Sequence, residues 1–337
     1  MQEKNAYVCR APMLKSLKSS NRRMYGDAGL KASILFLLTS GVFFMLAAGQ
    51  GYASLKIATG AREAAMGETG VAGASSANAL RWNPALLAQG PSIEASMNHT
   101  LWFLGTSQGS LLIKRRLGRF SLGAEAIYFT SGEIELRDSI GSPDPLGSYY
   151  FADLSLGLGA GVEVVRGTRV GLIARYYHER LWTYAAHTWG FDVGLNYTPF
   201  SGVDLGASVL DFGFDMHMDA EGFKPPMSIR VGGSYAHDWT EEFATVLNLD
   251  FLYRPYDKEP GLRTGVEVGL FDLLALRGGV KFLYASDEKI EFISPSELLT
   301  FGIGIKHKGI GVDYAIVPYN RLDLGLTHRI SLHLAFD

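Results

Sequence analysis

Two places in this 337-residue chain bring together side chains able to do chemistry. His178 and Glu179 are adjacent, a pairing that serves general-base or metal chemistry when both groups face one substrate. On a β-strand, neighbouring side chains point to opposite faces, so this pair cannot share one metal or one proton. His217 stands between Asp215 and Asp219 in "GFDMHMDAEGF", which reads either as a weak cation site or as an ordinary solvated loop. No H-x-x-x-H or C-x-x-C spacing appears. The single cysteine, Cys9, lies in the leader described below, which leaves no thiol nucleophile, disulfide or lipid-attachment cysteine after it. The expectation is a protein that is not an enzyme, with no cofactor and no metal.

The elements that hold these residues are strands. Residues 188–198 place Phe191, Val193, Leu195 and Tyr197 on one side and Asp192, Gly194, Asn196 and Thr198 on the other. This period of two is the pattern of a strand whose faces meet different surroundings. It recurs at Phe120/Leu122/Ala124, Ile229/Val231, Leu247/Leu249/Phe251, Val266/Val268, Leu274/Leu276 and Phe301/Ile303/Ile305. The opposite faces carry Glu125, Arg175, Arg230, Asp250, Arg263, Glu267, Arg277 and Lys281. Such segments number 14 between Ile93 and Phe336, and their connections alternate between short and long. That arrangement predicts an all-β fold, a transmembrane antiparallel up-and-down β-barrel with those charges facing the lumen.

A barrel in lipid must close, because an open edge leaves backbone groups without partners. The chain ends on "THRISLHLAFD", where Ile330, Leu332, Leu334 and Phe336 fall on one face and Arg329 on the other. This strand is expected to pair with the first and, with an aromatic beside its end, to be read by the outer-membrane barrel assembly machinery. Trp102, Trp182, Trp189 and Trp239 fall near strand ends, where interface girdles belong.

Residues 32–55 carry no charge and follow Arg22, Arg23 and Lys31, the pattern of a secretory signal peptide with Gly51 and Ala53 at the −3 and −1 positions. Residues 1–53 are read as the signal peptide, 54–90 as a plug segment and 91–337 as the barrel, with Met1, Met13 or Met24 as the start. The alternative for the apolar run is an anchoring helix, which needs about 20 apolar residues. The leader holds seven of the 31 basic and two of the 34 acidic residues, so the remainder is more acidic than the whole chain's net charge of −3. Nothing in it suggests nucleic acid.

The segment 60–90, "GAREAAMGETGVAGASSANALRWNPALLAQG", is rich in Ala and Gly and lacks a period of two. It holds helix candidates near residues 74–80 and from Pro84, where Asn83 is a good N-cap and Pro suits the first helical position. From composition it is either a lumenal hatch or a periplasmic tail. The stretch resembles the N-terminal motif of the PorV/PorQ family, related to FadL-type barrels, in its G-x-R-x-x-x-M-G start and W-N-P-A-x-L-A continuation. "VDYAIVPYNRLDLGLTHRISLHLAF" is similar to the closing strands of that family. Ser75 and Ser76 stand where family members often have an acidic pair, and Leu86 where Gly is frequent.

The resemblance implies a 14-stranded outer-membrane barrel with a short helical hatch containing Arg62, Met66, Gly67, Trp82, Asn83, Pro84 and Ala85. Two functions are implied. One is passive transport or binding of a hydrophobic small molecule. The other is a secretion accessory of type IX kind, binding the C-terminal signal domain of secreted cargo. Residues 213–225 and 285–297 interleave apolar side chains with acids and could receive either. Outer-membrane lipid is the expected surrounding.

Overall fold

The computed structural model describes residues 49–50, 52–74, 76–137, 144–218, 221–283, 299–318 and 325–336. The leader before residue 49, Asp219 and the whole of the 285–297 loop lie outside the described residues. Fourteen antiparallel strands follow one another around a closed barrel. They are β1 (Ile93–Leu101), β2 (Ser107–Leu117), β3 (Phe120–Thr130), β4 (Phe151–Val165), β5 (Thr168–Leu181), β6 (Tyr184–Phe200) and β7 (Val203–Gly213). The second half is β8 (Ser228–Asp238), β9 (Phe243–Arg254), β10 (Glu259–Leu270), β11 (Leu274–Leu283), β12 (Leu299–His307), β13 (Ile310–Pro318) and β14 (Leu326–Phe336). Every strand pairs with its neighbour in sequence, and β14 pairs with β1 from His328 opposite Leu101 to Phe336 opposite Ile93. That last ladder is what the regular terminal segment is for. It satisfies the two strand edges that would otherwise face lipid unpaired.

The two faces divide as the alternation requires. Val193, Leu195 and Tyr197 of β6 are exposed on the outside while Asp192 and Asn196 are buried in the lumen. On β14, Ile330 and Phe336 face outward, and Thr327, Arg329 and Ser331 are buried inside. The outer surface carries a continuous population of large apolar side chains, from Met97 on β1 through Leu158, Leu249 and Phe301 to Ile330. A patch of this extent on a water-exposed protein would drive association; around a barrel it matches a hydrocarbon slab. Among the described residues no helix is long and apolar enough to cross a membrane.

Tight turns at 118–119, 166–167, 201–202 and 308–309 gather at one end of the barrel. The longer connections gather at the other, and two of them carry small hairpins, Ile134–Leu136 with Gly147–Tyr149 and Met216–Met218 with Glu221–Lys224. The alternation breaks at two links. The expected long connection between β9 and β10 is only residues 255–258, no longer than the 239–242 link between β8 and β9. β5 and β6 are joined by Trp182 and Thr183 alone, because these strands are 14 and 17 residues long and extend the wall where a loop would stand. A further irregularity is a bulge on β7 between Val209 and Phe212, where Asp211 takes a left-handed backbone (φ 56°) and turns into the lumen.

Candidate functional site

The lumen is filled by the chain's own N-terminal segment. Its first described element is the two-residue strand Gly49–Gln50, paired in parallel with Phe223 and Lys224, and a 3-10 turn at Ala53–Lys56 and a short helix, α1 (Ala61–Ala65), follow. Two further 3-10 turns, Ser76–Arg81 and Pro84–Ala88, lie where the helix candidates were expected, although both are tighter and shorter than α-helices. Small residues let this segment approach the wall. Ala61, Ala64 and Ala65 pack on Ala315 and Val317 of β13. A methyl placed on Gly171 of β5 would collide with Pro84, and one on Gly194 of β6 with Asn83. On the opposite wall Gly265 and Gly279 are pressed in the same way by Met66 and Gly67. Barrel glycines and plug backbone are complementary surfaces.

Polar groups then fix the plug in register. Asn83 caps its turn by accepting from the Ala85 amide at 3.1 Å, and its Nδ2 donates to the carbonyls of Val71 (2.7 Å) and Leu195 (3.0 Å). Pro84 occupies the first position of that turn, as its fixed φ favours. Trp82 is 1 % exposed, donates its indole N–H to Thr59 O at 3.1 Å, and lies 4.6 Å beneath the Arg230 guanidinium. The amides of Gly70 and Val71 both donate to Asp250 Oδ2, at 2.7 and 3.0 Å. Thr300 accepts from the Gly67 amide at 2.9 Å and donates to Ala65 O at 2.7 Å.

Three groups of charges cross-link plug and wall. Arg62 grips Glu267 with two bonds (2.8 and 3.0 Å), and Arg277 joins Glu267 (2.5 Å) to Asp313 (2.6 Å). Glu68 of the plug pairs with Arg263 and lies 3.4 Å from Lys281 and 3.7 Å from Arg329. Burial alone would raise Glu68, but Lys281, Arg263 and Arg329 outweigh it and hold its carboxyl well below the usual carboxylate range. At the loop end, Arg81 pairs with Asp211 at 3.0 Å, and Arg175 meets Glu125, Asp192 (2.5 Å) and Leu80 O (2.8 Å). Tyr177 donates to Asp211 at 2.8 Å.

The eight charges expected to face the lumen all point inward, and each meets a plug atom or an oppositely charged wall residue there, Arg230 by covering the ring of Trp82 in the plug. Several partners were not legible in the sequence: Glu68, Asp192, Asp211 and Asp313. Arg329, placed by the sequence on the polar side of the closing strand, reaches the plug and donates to Ala58 O at 3.0 Å. Of the two chemical candidates, the first does not assemble, and the second is described only at Asp215 and His217. His178 and Glu179 fall on opposite faces of β5, and His217 shares its hairpin with Asp215, which lies 3.4 Å from Lys224. No cluster of three metal-ligating side chains exists among the described residues. One G-x-S-x-G spacing does occur, Gly105 to Gly109, yet its Ser107 begins β2 between two strands, not the strand-to-helix turn that exposes a nucleophile.

The two ends of the plug differ in character. Toward the short turns a cavity of about 670 Å³ has a mixed lining in which Arg62, Glu94, Lys114, Arg277 and Asp313 stand beside Leu86, Leu274 and Ile305. Toward the long loops the plug meets an apolar cluster of Tyr52, Leu55, Tyr177, Ala186 and Met216, with Met218 and Phe223 packed against it. The Tyr52 and Tyr177 rings lie 5.2 Å apart, tilted by 53°.

A closed barrel with an apolar outer wall and an internal hydrogen-bonded plug defines a plugged β-barrel of the membrane type. Its backbone is similar to solved outer-membrane hydrocarbon channels of the FadL kind. The Pseudomonas putida toluene transporter TodX superposes with a TM-score of 0.57 at 15% identity, covering 85% of this chain and 97% of that one. The Ralstonia pickettii toluene transporter TbuX gives 0.58 at 14% identity over 82% and 98%. A Pseudomonas aeruginosa FadL homologue gives 0.54 at 10% identity over 83% and 99%. No protein-family model and no curated protein matches the chain, so the PorV/PorQ resemblance rests on its motifs alone.

Proposed function

We propose that the protein resides in an outer membrane, long loops outward, and passively admits hydrophobic small molecules through its plugged barrel. One observation carries this reading: the apolar cluster of Leu55, Tyr177, Ala186 and Met216 beneath the long loops, at the loop end of a lumen whose wall also carries many buried charges. An apolar chamber at the outer end gives a hydrophobic solute a place to leave lipid or water. The cavity at the other end, with charged groups in its lining, does not retain it, so the gradient favours release inward. The likeness to toluene transporters supports the same direction. In this reading Arg62, Met66, Gly67, Trp82, Asn83, Pro84 and Ala85 form the hatch that keeps the barrel shut to water. The leader to Ala53 serves export, and the strand ending at Phe336 serves recognition by the barrel assembly machinery.

The test is to purify the tagged protein from detergent-solubilised outer membranes and analyse co-purifying proteins and extractable small molecules by mass spectrometry. Hydrophobic molecules without stoichiometric protein partners support the channel. Recovery of exported proteins sharing a C-terminal domain would replace it with the secretion role.

A further inference from the structure

Asp153 on β4 and Glu179 on β5 stand directly opposite each other and face the lumen beneath the long loops. Asp153 is 3 % exposed, and its Oδ1 has no hydrogen-bond partner. Glu68, Asp192, Asp211, Glu267 and Asp313 each meet an Arg or Lys inside the barrel. Asp153 and Glu179 meet none among the described residues. Two facing carboxylates in a poorly hydrated lumen repel one another when both are ionised, and a positive charge placed between them would offset that repulsion.

What faces the pair is the start of the plug. The Tyr52 amide donates to Glu179 Oε2 at 3.2 Å, and the Ser54 hydroxyl donates to Asp153. Gln108 holds the same turn by donating to Ser54 O at 3.0 Å. The Ser54 nitrogen is three bonds from the hydroxyl that meets Asp153 and two residues along the chain from the Tyr52 amide that meets Glu179. The leader's small-residue signal, Gly51 and Ala53, ends at this turn.

We propose that Asp153 and Glu179 are the seat of the α-ammonium group created at Ser54 when the leader is removed after Ala53. Water supplies a hydroxyl to the Ala53 carbonyl carbon and a proton to the Ser54 nitrogen. The acid proton of the new carboxyl then moves to the amine, leaving a carboxylate on the departing leader and an ammonium on the plug. The charge that balances the pair is therefore made by processing. The same cut takes the Tyr52 ring out of its place against Tyr177, so the apolar chamber is opened by maturation. This second consequence rests on the proposed transport function; the ammonium seat does not.

The experiment uses the full chain expressed with its leader and recovered from outer membranes. Intact mass gives the first residue, and reductive dimethylation with a labelled aldehyde gives the reactivity of its α-amine. The expected result is a chain beginning at Ser54 whose α-amine reacts at least about tenfold more slowly than in D153N/E179Q, as a one-unit rise in its titration midpoint would give. Any other first residue, or equal labelling in the two proteins, overturns the proposal. Should the double variant fail to show the heat-modifiable migration of a folded barrel, the reference becomes the wild-type amine after unfolding in detergent, with the same tenfold criterion. Slow labelling in a protein that transports no hydrophobic solute would remove the transport reading and leave the seat standing.

Discussion

Replacing Glu68 by Gln should loosen the plug without unfolding the barrel. Glu68 is the one plug carboxylate among Arg263, Lys281 and Arg329, and is 4 % exposed. Removing one member of a buried charge group typically costs about 3–5 kcal/mol, because its partners remain buried and uncompensated. Each kilocalorie is spent locally: the 14-strand ladder and its closure between β14 and β1 involve none of these side chains' bonds. A loss of that size raises the open population of the plug by a factor of about 10² to 4 × 10³, since 1.4 kcal/mol is tenfold. Amide hydrogen exchange over residues 61–74, with heat-modifiable migration as the folding control, measures it. Exchange there as slow as in the wild type would refute the reasoning. The pH dependence has a defined sign. Because the native carboxyl lies below its unfolded value, its contribution is present above the ordinary carboxylate range and is lost only as pH falls through the depressed native value. Plug protection should therefore persist through mild acid and fail in strong acid.

Other outcomes follow from the same geometry. Arg placed at outward Val231, Leu249 or Val266 should depress folded yield more than an added charge on the lumen face of the same strands, a lipid-facing Arg costing about 2–4 kcal/mol near the midplane; equal yields would sink the inside-outside assignment. Gly171→Val and Gly194→Val push side chains into Pro84 and Asn83 and should admit small hydrophilic solutes in a liposome-swelling assay, where an unchanged rate would show that the plug tolerates displacement. Asn83→Ala loses a cap contributing about 1 kcal/mol and two further bonds, and should speed exchange across the Pro84–Ala88 turn, with no change counting against the capping role. Deleting Phe336 should lower the amount assembled in the outer membrane, and normal assembly would remove the recognition role from that residue.

The wall was readable because two solvents impose two rules on one strand. Val193 and Asp192 are neighbours in sequence, and only a strand with lipid on one side and a polar lumen on the other suits both. The same parity placed Arg230, Asp250 and Arg263 inside, yet it could not name what they meet. Glu68 and Arg263 are 195 positions apart, and no local pattern links them. Asp211 was hidden for another reason: the bulge on β7 shifts the register, so alternation gives the wrong face just where Arg81 and Tyr177 find their partner. The fate of the Ala- and Gly-rich segment was undecided by its composition. A signal did exist on the wall, where Gly171, Gly194, Gly265 and Gly279 occupy lumen-facing positions that a polar-lined open channel would fill with side chains. The expected alternation of short and long connections failed at Trp182 and Thr183, where strand length replaced loop length, and at 255–258, where β9 and β10 stay paired up to Arg254 opposite Glu259.

Passive admission of hydrophobic molecules is tested most directly by uptake. Cells lacking their own hydrophobic-solute channel would be given this protein, and entry of radiolabelled toluene and of a labelled long-chain fatty acid measured at increasing outside concentration. The channel predicts faster entry of at least one of them, persisting in de-energised cells and reduced when Leu55 or Met216 is replaced by Asp. Entry at the rate of empty cells for both solutes, from a protein shown to be folded in the outer membrane, would contradict it.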